Sequence, residues 1–135
     1  MSNPYVLDSF ALVSLFHKEP GWERVRQVLA ELSSSSDKAL LCVINWGEFY
    51  YIVKRRVGRH KAEEALALLE QLPISILSVD DRLVWEAAEI KSDYPVSYAD
   101  AFCIATAQRT GGRVLTNDPE FDAVDLVAVE WLTDR

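Results

Sequence analysis

Four carboxylates stand at the edges of apolar segments in this sequence: Asp8 in VLDSFAL, Glu48 in INWGEF, Asp100 in VSYADAFCIATA and Asp118 in LTNDPEF. Each has an ordinary structural reading. Asp8 and Asp118 can act as helix N-caps, the latter with Pro119 suited to the first helical position, while Asn45 with Glu48 and Ser97 with Asp100 match the spacing of a capping pair. Their combination points to chemistry. Two carboxylates about 5 Å apart repel by roughly 3 kcal/mol at an effective dielectric near 20, so capping alone gives no reason to gather four of them. A divalent cation does, because Mg²⁺ or Mn²⁺ prefers hard carboxylate oxygens, keeps several waters and bridges to phosphate.

Other chemistries find little support. His17 and His60 lie in polar surroundings and are expected at the surface, far from any serine elbow or reactive cysteine. Cys42 and Cys103 sit inside the apolar runs LLCVI and AFCIA, where a free thiol behaves as a small hydrophobe, and their spacing fits no zinc or redox motif. The glycines needed for a phosphate-binding loop or a dinucleotide fingerprint are missing. With 14 basic and 21 acidic residues, a net charge of −7 counts against a general nucleic-acid coat protein. It leaves room for a nucleic-acid enzyme whose excess acid surrounds a cation.

The elements that must position these acids alternate along the chain. PYVL (4–7), ALLCVI (39–44), ISIL (74–77), RVLT (113–116) and LVAVEWL (126–132) read as strands. Between them, helical periodicity covers Ser9 to about Lys18, Trp22 to Leu32, Asn45 to about Val57, 60–72, 79–91 and the run from Ser97 toward Gly111, with a helical turn at DPEF. Continuous apolar strands alternating with helices predict a three-layer α/β/α sandwich around a mostly parallel sheet. In such sheets ligands bind beyond the carboxyl ends of the strands, where strand order reverses. Asp8, Glu48 and Asp118 each follow a strand, so parallel topology should make them converge. At 135 residues, half of them hydrophobic, the chain is expected to form one domain over 1–135. The N-terminal region lacks a basic signal-peptide start and its apolar run is short and interrupted by Asp8, so a cytoplasmic location with no membrane association is expected.

In order and separation, YVLDSFAL, INWGEF, SYADAFCIATA and VLTNDPEF resemble the four acidic motifs of the PIN-domain ribonucleases, in particular the short VapC-type toxins of bacterial toxin–antitoxin modules. The resemblance spans essentially the whole chain. It implies that Asp8, Glu48, Asp100 and Asp118 form the site, with Asp8 and Asp100 the most direct Mg²⁺ ligands and Mn²⁺ an acceptable substitute. Glu48 and Asp118 would act directly or through water, and Ser9 and Thr116 match small hydroxyl residues that orient carboxylates or waters. Phe10, Asn45 and Trp46 depart from the residue types commoner in that family.

The activity so implied is hydrolysis of RNA phosphodiesters, with a homodimer and a small antitoxin as partners. The alternatives are a silent PIN-like module that binds RNA or protein without cutting, or a metal-dependent nuclease acting on DNA. RNA needs cations nearby, and the richest cluster is KRRVGRHK, with Arg55, Arg56, Arg59 and Lys61 as candidate RNA or partner contacts. It lies more than two helical turns from Glu48, so it is expected to stay solvated or to reach the flank of an RNA rather than the scissile phosphate. Trp46, Phe49, Tyr50 and Tyr51 are expected in the core or an interface.

Overall fold

The computed structural model of the chain describes residues 3–134. Its centre is a sheet of short strands, β1 (Tyr5–Leu7), β2 (Ala39–Cys42), β3 (Ile74–Leu77), β4 (Arg113–Thr116) and β5 (Ala128–Trp131), in the order β3-β2-β1-β4-β5. All four pairings are parallel. Helices α1 (Ser9–His17), α2 (Trp22–Ser33), α3 (Val43–Val57) and α4 (Arg59–Glu70) intervene before β3, and α5 (Asp81–Asp93) and α6 (Tyr98–Thr110) before β4. The expected three-layer α/β/α architecture is therefore the observed one.

Alternation of side chains along each strand divides the core into two. Leu7, Leu41 and Leu115 join the cluster built with α1 to α4, where Phe49 is fully buried. Their neighbours Val6, Cys42 and Val114 join the cluster built with α5 and α6, which includes Phe102, Ile104 and Phe121. Helix α6 is enclosed along most of its length, from Asp100 to Ala107. This accounts for its nearly continuous small and apolar sequence, because no stripe of it faces water. Gly112 begins the return into the sheet; a Cβ there would lie 2.7 Å from Val6 Cγ2 and 2.9 Å from the Pro4 carbonyl oxygen.

Several expected boundaries move. β2 ends at Cys42 rather than at residue 44, and α3 begins at Val43, so Asn45 is a buried helical residue and not an N-cap. β5 covers 128–131 rather than 126–132. α5 runs from Asp81 through Asp93, capped by Asp80, and so takes up residues expected in a turn. Both cysteines are free and buried, as expected. His60 is exposed and paired with Glu64 at 3.0 Å, but His17 is half-buried, with its Nε2 enclosed by protein. Phe49 is in the core and Trp46 and Tyr50 pack against it, whereas Tyr51 is exposed. Among the described residues no helix is long and apolar enough to cross a membrane.

Candidate active site

Strand order sets where the site forms. Leu7 pairs with Leu41 on one side and Leu115 on the other, so the residues that follow β1 and β4, Asp8 and Thr116 with its successors, emerge side by side. Strand order changes direction between these two strands, which is where an open parallel sheet leaves a crevice.

Asp8 caps α1, its Oδ1 accepting the Ala11 backbone N–H at 2.8 Å, while its Oδ2 accepts the Thr116 hydroxyl at 2.5 Å. It is 1% exposed. Burial pushes its carboxyl up to about 7 although the Thr116 and Ala11 hydrogen bonds oppose the shift, and the charges of Asp118 and Glu48 add to it.

Asp100 lies in the first turn of α6, where the helix N-terminus favours a negative charge. Ser97 caps that helix, its Oγ accepting the Asp100 backbone N–H at 3.1 Å. The reciprocal half of the expected capping box is not made by Asp100. The Ser97 backbone N–H instead donates to Glu120 Oε1 at 2.7 Å, which leaves the Asp100 carboxyl free to face the crevice. Its Oδ2 is buried without a hydrogen-bond partner. Burial first, then the neighbouring Asp118 and Glu120 carboxyls and the charge of Asp8, pushes Asp100 up to about 10.

Asp118 caps the 3₁₀ turn at Pro119–Ala123, accepting the Glu120 N–H at 3.0 Å. One oxygen each from Asp8, Asp100 and Asp118 can be chosen so that all lie within 4.8 Å of one another. Glu48 stands beside this group rather than in it, and accepts at Oε1 the hydroxyl of Ser9, the residue that follows Asp8 in the chain. The four acids foreseen as one cluster are thus three convergent carboxylates and a neighbour.

Asp100, Asp118, Glu48 and Ser9 line a cavity of about 250 Å³, together with Glu120, Phe10 and Arg56. Neither Glu120 nor Asn45 is among the candidate site residues of the sequence. For Glu120 the available signal is its place two residues after Asp118 in a turn that points both acids the same way. Asn45 donates through Nδ2 to the Ala99 carbonyl at 3.0 Å and so ties α3 to the first turn of α6, beside Asp100. Among the basic candidates Arg56 lines the cavity. Arg55 stacks over Tyr51 at 5.0 Å, and Arg59 and Lys61 are exposed on the following helix.

The family model of the PIN domain matches residues 5–127. The chain belongs to the PIN domain family. No curated protein matches this PIN domain in sequence. Among solved structures, it is similar to VapBC2 from Rickettsia felis bound to a DNA fragment from their promoter, with a TM-score of 0.77 and 15% identity over 94% of this chain and 97% of that one. VapC20 of Mycobacterium tuberculosis, described as a Sarcin-Ricin loop cleaving toxin, matches with a TM-score of 0.75 and 19% identity, covering 93% and 98% of the two chains. FitAcB from Neisseria gonorrhoeae matches with a TM-score of 0.66 and 27% identity over 93% and 95%. These likenesses place the PIN domain's fold beside theirs along nearly the full length of each chain.

Proposed function

We propose that this PIN domain is a Mg²⁺- or Mn²⁺-dependent endoribonuclease, one domain over residues 1–135, acting in the cytoplasm as the toxin of a toxin–antitoxin pair. The observation that carries the reading is the convergence of Asp8, Asp100 and Asp118 within 4.8 Å, with an Asp100 oxygen buried and unpartnered. Such a group is costly unless a cation or protons compensate it. An all-oxygen donor set suits Mg²⁺ or Mn²⁺ and not a thiolate-seeking metal.

Asp8 and Asp100 would hold the cation, with Asp118 completing the group. When bound, it neutralises phosphate charge and lowers the pKa of an attacking water. Glu48, which lines the same cavity outside the three-carboxylate group, or Asp118 would accept the proton. Ser9 and Thr116 orient their carboxylates by donating to Glu48 and Asp8. The likeness to VapBC complexes supports an antitoxin partner, and the likeness to a toxin described as cleaving the Sarcin-Ricin loop supports an RNA substrate; a homodimer and an antitoxin that covers the site are what the resemblance of the sequence motifs to VapC-type toxins implies.

The test is cleavage of RNA and DNA by the purified protein with Mg²⁺, Mn²⁺ or EDTA, beside Asp8→Asn and Asp100→Asn. RNA cleavage that needs the metal and both carboxylates is expected. Metal-independent cleavage, or full activity in both variants, overturns the reading. Cleavage of DNA alone moves the substrate, and RNA binding without cleavage makes the domain a silent module. Growth arrest on expression, relieved by a small neighbouring gene, tests the toxin assignment.

A further inference from the structure

The charge balance of the cavity leaves a difficulty that Arg56 resolves. Glu48, Asp100, Asp118, Glu120 and Glu19 contribute carboxylates to its lining, and Arg56 is its one basic side chain among the described residues. A polyanion entering it meets a wall of like charge on a protein whose net charge is already −7.

Arg56 reaches the cavity because Glu48, Ile52 and Arg56 recur at intervals of four along α3, and all three line it. Eight residues of helix separate the backbones of Glu48 and Arg56 by about 12 Å along the axis, so Arg56 enters the cavity two turns further along α3 than Glu48. Arg56 Nη1 donates to Glu19 Oε2 at 3.2 Å, and the two side chains are 46% and 37% exposed. Glu19 is presented from a pinned turn: its backbone N–H donates to the Ser14 carbonyl at 3.0 Å, and its own carbonyl accepts the Trp22 N–H at 3.0 Å. The carboxylate therefore holds the guanidinium at the cavity wall, yet an exposed ion pair of this kind is weak. A phosphate, which matches the planar guanidinium bidentately, can displace it.

We propose that Arg56 docks a backbone phosphate flanking the scissile bond and that Glu19 competes for it, holding Arg56 ordered when no strand is bound. The proposal rests on the nucleic-acid reading of the site. It divides the basic cluster by position: Arg56 lines the cavity, while Arg55, stacked on Tyr51, is outside its lining.

The two partners should act in opposite directions. The probe is binding of a short, labelled, mixed-sequence RNA to the Asp100→Asn protein in Mg²⁺ across a series of KCl concentrations. Adding Arg56→Gln should weaken binding about tenfold and lower the slope of log affinity against log salt by about one. Arg56→Lys should retain the slope. Glu19→Gln should tighten binding several-fold and do nothing once Arg56→Gln is present, the signature of a shared interaction. Thermal melts of each variant verify folding. Unchanged affinity and slope in Arg56→Gln, weaker binding in Glu19→Gln, or no RNA binding by any variant overturns the proposal. The cleavage assay separates this from the nuclease reading. A wild type that binds RNA through Arg56 without cutting it removes the nuclease and keeps the docking; cleavage of RNA by Arg56→Gln as efficient as by wild type does the reverse.

Discussion

Thr116 joins two acids of the site through one oxygen: its hydroxyl donates to Asp8 Oδ2 at 2.5 Å and accepts the Asp118 backbone N–H at 2.9 Å. The carboxylate after β1 and the turn after β4 are thereby locked in register. Thr116→Val keeps the shape and removes the donor, leaving a buried carboxyl short of a partner. The expected cost is about 1–3 kcal/mol of stability near neutral pH and about 10–100-fold in metal affinity. Asp8 should also titrate higher, because the lost bond opposed its upward shift. Denaturant melts and metal titrations check this, with Thr116→Ser expected to recover both.

The raised carboxyls make the metal-free protein sensitive to base. A carboxyl whose native pKa exceeds its unfolded value near 3.8 binds its proton more tightly when folded. Its contribution to stability is therefore full below that value and is lost as pH rises, through about 7 for Asp8 and onward to about 10 for Asp100. In EDTA, stability should fall between pH 5 and pH 8 by this route. Asp8→Asn should melt higher than wild type at pH 8, by on the order of 2 kcal/mol, and gain nothing at pH 4. A wild type more stable at pH 8 than at pH 5 in EDTA would contradict the assignment.

Divalent cation should reverse that penalty. Mg²⁺ or Mn²⁺ at about a hundred times its dissociation constant stabilises by about 2.7 kcal/mol. The effect should be larger at pH 8 than at pH 6, because the ligands must lose their protons. Differential scanning with and without EDTA measures it, and Asp8→Asn and Asp100→Asn should show little response.

Two polar contacts near Asp100 should separate placement of the acid from stability of its helix. Asn45→Ala removes the bond from α3 to the Ala99 carbonyl and should cost about 1–3 kcal/mol together with metal affinity, since Asp100 lies one residue further on. Ser97→Ala removes the cap and should cost about 1 kcal/mol, while Asp100 stays in place through the buried body of α6. Melting temperature and metal affinity, measured on both, distinguish the two effects.

Much of the site was legible in the sequence, because local signals and chemistry coincided. Asp8, Asp100 and Asp118 each stand at the start of a helical turn, where an acidic residue caps or favours the dipole, and continuous apolar strands placed those starts at one end of a parallel sheet. Asn45 was misread for the same reason. Asx at the end of an apolar run signals an N-cap, but α3 already begins at Val43, and Asn45 falls on its buried face with Phe49 and Val53.

The residue types and their order along the chain determined the α/β architecture, the family resemblance and the acids, since these depend on periodicity and local spacing. Only the tertiary structure decided which acids converge, that Glu48 accepts the Ser9 hydroxyl, that Glu120 takes over the Ser97 amide, and that Arg56 meets Glu19 across 37 positions of chain. Those relationships are contacts between segments remote in sequence. Their distances follow from strand order and helix packing, which no local pattern encodes.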